Sequence, residues 1–269
     1  MLVVQKYGGS SLATVDHLKT VAEKIMKDRA RGLNLVIVTS AMGKTTDELL
    51  KLAYAVHPEP EKRELDCLLS TGEMVSAALL ALKLLERGVK ARALTGAQAG
   101  MLTDDRHSEA TPLALHAERL KTLLADGVIP VITGFQGMTI GGEITTLGRG
   151  GSDTSAAYLA YALGAARVEI YTDVEAIYDK DPRRTPEAVK YSELSYEQAL
   201  ELAENGAKVL HPAAIRWAMR GRVPLLVAHY ASRAPYSEGT WVTDVPANIA
   251  AMRTTTMVES NMLSKEINS

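Results

Sequence analysis

Residues 33–39 read LNLVIVT, and no other stretch of this chain limits its fold as strongly. A strand with one wet face alternates apolar and polar side chains. A run that is apolar at nearly every position belongs in a sheet covered on both faces. Shorter runs of the same kind stand at 2–5, 128–133, 167–172 and 224–228. Amphipathic stretches separate them: 15–30, with Leu18, Val21, Ala22 and Ile25 on one face, then 46–55, 65–87 and 152–163. Strands alternating with helices predict an α/β fold with a mainly parallel central sheet and helices on both faces.

Local signals refine this. Thr111-Pro112 pairs a capping residue with a first-turn proline and predicts a helix to about 125. Gly141-Gly142 predicts a hairpin within 136–146. Ser195 with Gln198 forms a capping box, and Pro212 opens a further helix. A chain of 269 residues builds one large domain or two closely joined lobes, and the weak boundary signal lies near 134–148.

A formal charge of −2 gives no electrostatic reason to expect nucleic acid or an anionic membrane as partner. Cys67 is the only cysteine, which rules out an internal disulfide or thiolate cluster and fits a reducing cytoplasm. Lys6 and Gly8-Gly9 break the first apolar run, so no signal peptide is expected there, and no span of about 18 uncharged apolar residues occurs.

Four segments carry chemistry. The first strand runs into Lys6-Tyr7-Gly8-Gly9-Ser10-Ser11 and then a helix. Glycines let backbone N–H donors approach phosphate oxygens, a helix start adds positive potential, and Lys6 reaches out from the strand end. Alone, the segment serves equally well as a plain strand–turn–helix corner. The second segment, 39–46, contains Gly43-Lys44-Thr45 but is no P-loop, since Val38 stands where glycine is needed. It reads as another strand-end loop whose hydroxyls, Ser40 among them, face phosphate or substrate. The third, Gly148-Arg149-Gly150-Gly151-Ser152-Asp153, fails the dinucleotide fingerprint at Asp153 and the serine-hydrolase elbow at Thr154. What remains is an arginine among glycines at a helix start, suited to a bidentate grip on a carboxylate. Asp153 stands beside it, placed to orient a lysine. In the fourth, Thr172-Asp173 ends a strand and opens a polar loop through Tyr178, Lys180, Asp181 and Arg183, placed to embrace a nucleotide. Two smaller features remain. Glu73 lies in an apolar helix, and a buried acid there needs a cation, either an α-ammonium group or Arg149. Lys208-Val209 precedes the helix that begins at Pro212. The six histidines show no zinc-ligand spacing.

Four motifs, KYGGSS, SAMGKTTDELL, TLGRGGSDTSA and YTDVEAIYDKDPR, in this order and spacing, resemble the aspartate kinase branch of the amino acid kinase superfamily; STGE and KVLHP add to the likeness. The resemblance covers about 1–245. It implies a three-layer αβα sandwich in two lobes, an amino-acid-binding lobe followed by a nucleotide-binding lobe. It implies ATP-dependent phosphorylation of the side-chain carboxylate of L-aspartate, the entry to lysine, threonine and methionine synthesis, with Mg²⁺ carried by ATP, and a homodimer. It implies catalytic roles for Lys6, Asp153 and Lys208. ATP would lie against Lys6, Tyr7, Gly8, Gly9, Ser40, Thr172, Asp173, Tyr178, Lys180, Asp181, Arg183, Lys208 and Val209. Aspartate would meet Thr46, Glu73, Phe135, Arg149, Gly150, Gly151 and Ser152, with Arg149 on its α-carboxylate and Glu73 on its α-ammonium.

Two departures stand out. Glu175-Ala176 replaces the usual Asp-Gly, so Ala176 needs a negative φ. The likeness dissolves after about Pro246, and 247–269 reads as a polar tail in place of the regulatory ACT domains. Two alternatives stay open: a related kinase acting on glutamate or N-acetylglutamate, and a non-catalytic nucleotide-binding module on the same fold.

Overall fold

The computed structural model describes residues 1–244 apart from Asp181, Arg183, Pro186, Ala207 and Lys208. Three expected nucleotide-site residues, Asp181, Arg183 and Lys208, and the expected tail therefore lie outside the described residues.

In chain order the first half holds β1 (Leu2–Tyr7), a 3-10 turn (Ser10–Leu12), α1 (Val15–Ala30), β2 (Asn34–Thr39), α2 (Thr45–Val56), α3 (Lys62–Glu86), β3 (Ala91–Leu94), β4 (Met101–Thr103), β5 (Pro112–Leu115), α4 (Glu118–Ala125) and β6 (Ile129–Thr133). The second half holds β7 (Gln136–Met138), β8 (Ile144–Thr146), α5 (Gly151–Leu163), β9 (Arg167–Thr172), β10 (Glu193–Leu194), α6 (Tyr196–Glu204), α7 (Pro212–Gly221), β11 (Leu225–His229), α8 (Pro235–Glu238) and β12 (Thr240–Val242).

The main sheet runs β10-β12-β11-β9-β1-β2-β6-β3, and only the β11–β12 pair is antiparallel. Alternation along the strands sorts the core into two layers. Val4, Val36, Val38, Ile132 and Ile170 pack with Leu159 of α5 and Ile215 of α7. Val3, Leu35, Ile37 and Val131 pack with Val21 and Ile25 of α1 and Leu80 and Leu84 of α3. This is the expected αβα sandwich, with β2 buried on both faces as its composition requires. Among the described helices α3 alone is long and apolar enough to cross a membrane, but half of that stretch is buried in the core and Glu73 sits within it.

Beside the main sheet lies a smaller one, β5-β4-β7-β8. The hairpin expected around Gly141-Gly142 is its β7–β8 pair. The helix expected from Thr111-Pro112 to about 125 ends at Ala125 but does not start at Pro112. Pro112 instead begins the edge strand β5, antiparallel to β4, and α4 starts at Glu118. Proline is tolerated at the first residue of an edge strand, and there the missing N–H costs nothing. Thr111 does not cap; its N–H donates to Asp104 Oδ1 at 3.0 Å. The capping box at Ser195 and the helix at Pro212 are both present.

Candidate active site

The chain leaves β1 toward β2 and β6 on one side and returns to β9 and β11 on the other, so β1 is the point where strand order reverses. Ligands of open α/β sheets bind beyond the carboxyl ends of strands at such a point. The register aligns those ends: Tyr7 pairs with Thr39 and Tyr171, and Thr39 pairs with Thr133.

Four sequence motifs converge there. The strand runs through Lys6 and Tyr7, two residues further than expected. Lys6 Nζ stands 2.7 Å from Asp153 Oδ1, at the start of α5, with both side chains nearly buried. Gly8 donates its N–H to Tyr171 O at 3.0 Å. Gly8 therefore lends closeness, not a donor, to a phosphate. Gly9 touches the second loop: its carbonyl accepts from Gly43 N at 2.9 Å, and a Cβ there would lie 2.7 Å from Ala41 O. Side chains are thus excluded where the two loops meet.

On the other side of that loop, Ala41 N donates to Glu73 Oε1 at 3.0 Å. Glu73 is 3% exposed, and its Oε2 has no hydrogen bond among the described residues. Loss of solvent pushes its pKa up to about 7, despite the opposing Ala41 N–H. Among the described residues no cation pairs with Glu73; Arg149, one of the two expected partners, is exposed. Two further hydroxyls lie close by; Thr39 opens the second segment, whereas Thr133 was not singled out from the sequence. Thr39 Oγ1 and Thr133 Oγ1 are buried at paired strand ends without a hydrogen bond among the described residues. By strand alternation they share the α3 side of the sheet with Ile37 and Val131. A hydroxyl closing each of two apolar runs was the signal available.

The Arg149 segment is shaped by contact. Gly148 and Gly150 have φ of +71° and +68°, and a Cβ on Gly150 would strike His211 at 2.3 Å. That brings the Val209-Leu210-His211 stretch against the arginine loop. Gly151 lies under Phe135, and Gly134 under Ser152, each with room only for hydrogen. Phe135, at φ +69°, donates its N–H to Ser155 Oγ at 3.0 Å. Ser40, Thr46 and Thr172 are half-buried around the same strand ends. Thr172 Oγ1 donates to Asp173 Oδ1 at 3.1 Å, and Tyr178 hydroxyl to Glu175 Oε2 at 3.4 Å; Lys180 is exposed. Ala176 is buried, and its φ is not positive, as its side chain requires. One cleft falls elsewhere, lined by Arg29, Leu33 and Val128 at the amino ends of the strands.

A lysine and a glycine loop thus meet at the switch point, with an aspartate on that lysine and a buried glutamate whose Oε2 has no hydrogen bond among the described residues. The sequence matches the amino acid kinase family over residues 1–229, and the chain belongs to that family. It is 49% identical over 226 residues to aspartokinase of Geobacillus stearothermophilus, covering 84% of this chain and 56% of that one. Aspartate kinase from Synechocystis superposes with a TM-score of 0.81 at 46% identity, over 91% of this chain and 40% of that one. E. coli aspartokinase III, in complex with aspartate and ADP, superposes at 0.82 with 32% identity, over 90% of this chain and 64% of that one. The chain spans 56% of the Geobacillus protein and 60% of a Thermus thermophilus aspartokinase.

Proposed function

We propose that this chain transfers the γ-phosphoryl group of ATP to the side-chain carboxylate of L-aspartate, giving 4-phospho-L-aspartate and ADP. The observation that carries the reading is the combination of a pre-formed Lys6–Asp153 couple with a buried carboxylate, Glu73, that meets no cation among the described residues. An aspartate carboxylate is ionised at neutral pH, so the attack needs no general base. What it needs is alignment of two anions and offset of charge on the moving phosphoryl group. Lys6 offsets that charge, and Asp153 holds the lysine in place. Arg149, exposed beside its glycines, takes the α-carboxylate, and Glu73 takes the α-ammonium. The loop from Thr172 receives the nucleotide. Mg²⁺ arrives on ATP with phosphate and water as its main ligands; among the described residues no three acidic, His or Cys side chains gather to cage it.

Resemblance to enzymes named aspartokinase supports this substrate over other acids. Glu73 also favours an acceptor with a free amine over an N-acylated one. A homodimer belongs to the same reading, supported by the exposed apolar stripe Val75, Leu79, Leu82 and Leu85 on α3, and sedimentation equilibrium checks it. A cytoplasmic setting fits the free Cys67. The deciding experiment is ADP release across aspartate, glutamate and N-acetylglutamate. Turnover with aspartate at least tenfold above the others is expected; none with aspartate refutes the reading.

A further inference from the structure

A second carboxylate on α3 has no part in the chemistry above. Asp66 lies two turns before Glu73 on the same helix, and it is fully buried. Both of its oxygens are crowded with donors. Oδ1 accepts from Thr146 Oγ1 at 2.5 Å, Ser108 N at 3.1 Å and Ser108 Oγ at 3.3 Å. Oδ2 accepts from Ser108 N at 2.9 Å and Thr146 N at 3.1 Å, and lies 2.9 Å from His107 Nδ1. The donors come from two segments distant in sequence, the 104–111 loop and the end of β8.

The same two segments form the base of the arginine loop. Ala110 N donates to Thr146 O at 2.9 Å. Ser108, held at φ +69°, presses its carbonyl on Gly148, where a Cβ would come within 2.9 Å. Arg149 is the next residue. The chain from Asp66 to Arg149 is thus short and packed: carboxylate, Thr146 and Ser108, Gly148, Arg149. Every neighbour at both oxygens can donate to them, and two of these neighbours, Ser108 N and Thr146 N, are backbone N–H groups that can do nothing else. An asparagine has the same shape, yet in either orientation its NH₂ would face a backbone N–H.

We propose that Asp66 is a positioning residue that sets Arg149 at a fixed distance from Glu73, so that one helix, α3, gauges the length of the acceptor between its carboxylate and ammonium ends. This rests on the proposed roles of Arg149 and Glu73. The test is steady-state kinetics of Asp66→Asn, Arg149→Ala and the double variant, using whichever acid the wild type phosphorylates. The wild-type substrate panel judges the proposed function; the variant-to-wild-type ratios judge Asp66. Asp66→Asn should raise the acceptor KM about tenfold or more and leave the ATP KM within about twofold, since misplacing one grip by an ångström costs on that scale. In the Arg149→Ala background the same change should add almost nothing. Equal rises in both KM values, or effects that multiply in the double variant, overturn the proposal. Should Asp66→Asn not fold, Thr146→Val removes one donor and keeps the backbone. It should raise the acceptor KM about threefold without moving the ATP KM, and an unchanged acceptor KM counts against the proposal.

Discussion

Asp153 and Glu73 are both acids buried at the carboxyl end of one sheet, and their surroundings are opposite. Asp153 has its counter-charge in hand: Lys6 stands 2.7 Å away. Glu73 has only backbone N–H groups beside it, Ala41 N at 3.0 Å from Oε1, and its Oε2 has no hydrogen bond among the described residues. Burying a charge is costly unless it is paired. The first corner meets that cost within the fold, and so holds its lysine in one place. The second leaves it unmet, and its carboxyl sits near half-protonation at neutral pH, its pKa raised to about 7. A cation that enters with the acceptor completes it. Under the proposed function, the difference makes this site pre-organised toward the nucleotide and incomplete toward the amino acid.

The pre-organised corner should therefore give the largest effects. Lys6→Ala removes the cation at the transferring phosphoryl group and strands Asp153, and turnover should fall by about 10³-fold or more with the far-ultraviolet circular dichroism unchanged. Asp153→Asn leaves the lysine charged but unheld, so kcat should fall less, by about 10²-fold. If the two variants were equally impaired, the lysine and its holder could not be told apart. If Asp153→Asn were harmless, the rigid-corner half of the comparison would be wrong.

Much of this contrast was legible in the sequence, and its limits are physical. The apolar run in β2 dictated a covered parallel sheet, and Lys6, Asp153 and Glu73 stood out as charged groups in apolar or glycine-rich settings. Local chemistry read true where both partners were local, as in the Ser195–Gln198 capping box. It misled at Thr111-Pro112, because Thr-Pro suits the start of an edge strand as well as a helix, and the partner that decides, β4, lies some ten residues back. Glu73 was expected to need a cation, but its actual partner is the backbone N–H of Ala41, which carries no side-chain signal. Asp66 was passed over because its donors lie 41 to 80 residues away.

The incomplete corner predicts smaller changes of a different kind. Glu73→Gln keeps an acceptor for Ala41 N but cannot pair with an ammonium, so the aspartate KM should rise about thirtyfold while the ATP KM stays put. Stability should move the other way. The folded carboxyl titrates near 7 against an ordinary 4.5 when unfolded. Between those values the folded state holds the extra proton, so stability falls as pH rises through the window. The full penalty, at most about 3 kcal/mol, applies above pH 7. Glu73→Gln should therefore raise Tm at pH 8 relative to wild type and lose that advantage near pH 4.5. A lower Tm at pH 8 would mean that Glu73 is paired in the folded protein.

The smallest effect is also the sharpest test of the unpaired state. From pH 7 to 5.5 aspartate keeps its ammonium and side-chain charges. The terminal phosphate of ATP titrates in this range, so the Glu73→Gln variant is run beside the wild type at saturating ATP to separate its effect from that of the protein. Glu73, half-ionised near 7, becomes almost wholly neutral by 5.5. The aspartate KM should accordingly rise by about tenfold across this range, and the rise should vanish in Glu73→Gln. A flat wild-type profile would mean that the carboxylate is already ionised at 5.5, held so by a cation of the protein itself. A sloping profile that survives in Glu73→Gln would move the titration to another group. Only a slope that disappears with the carboxylate leaves Glu73 as the buried charge completed by its substrate.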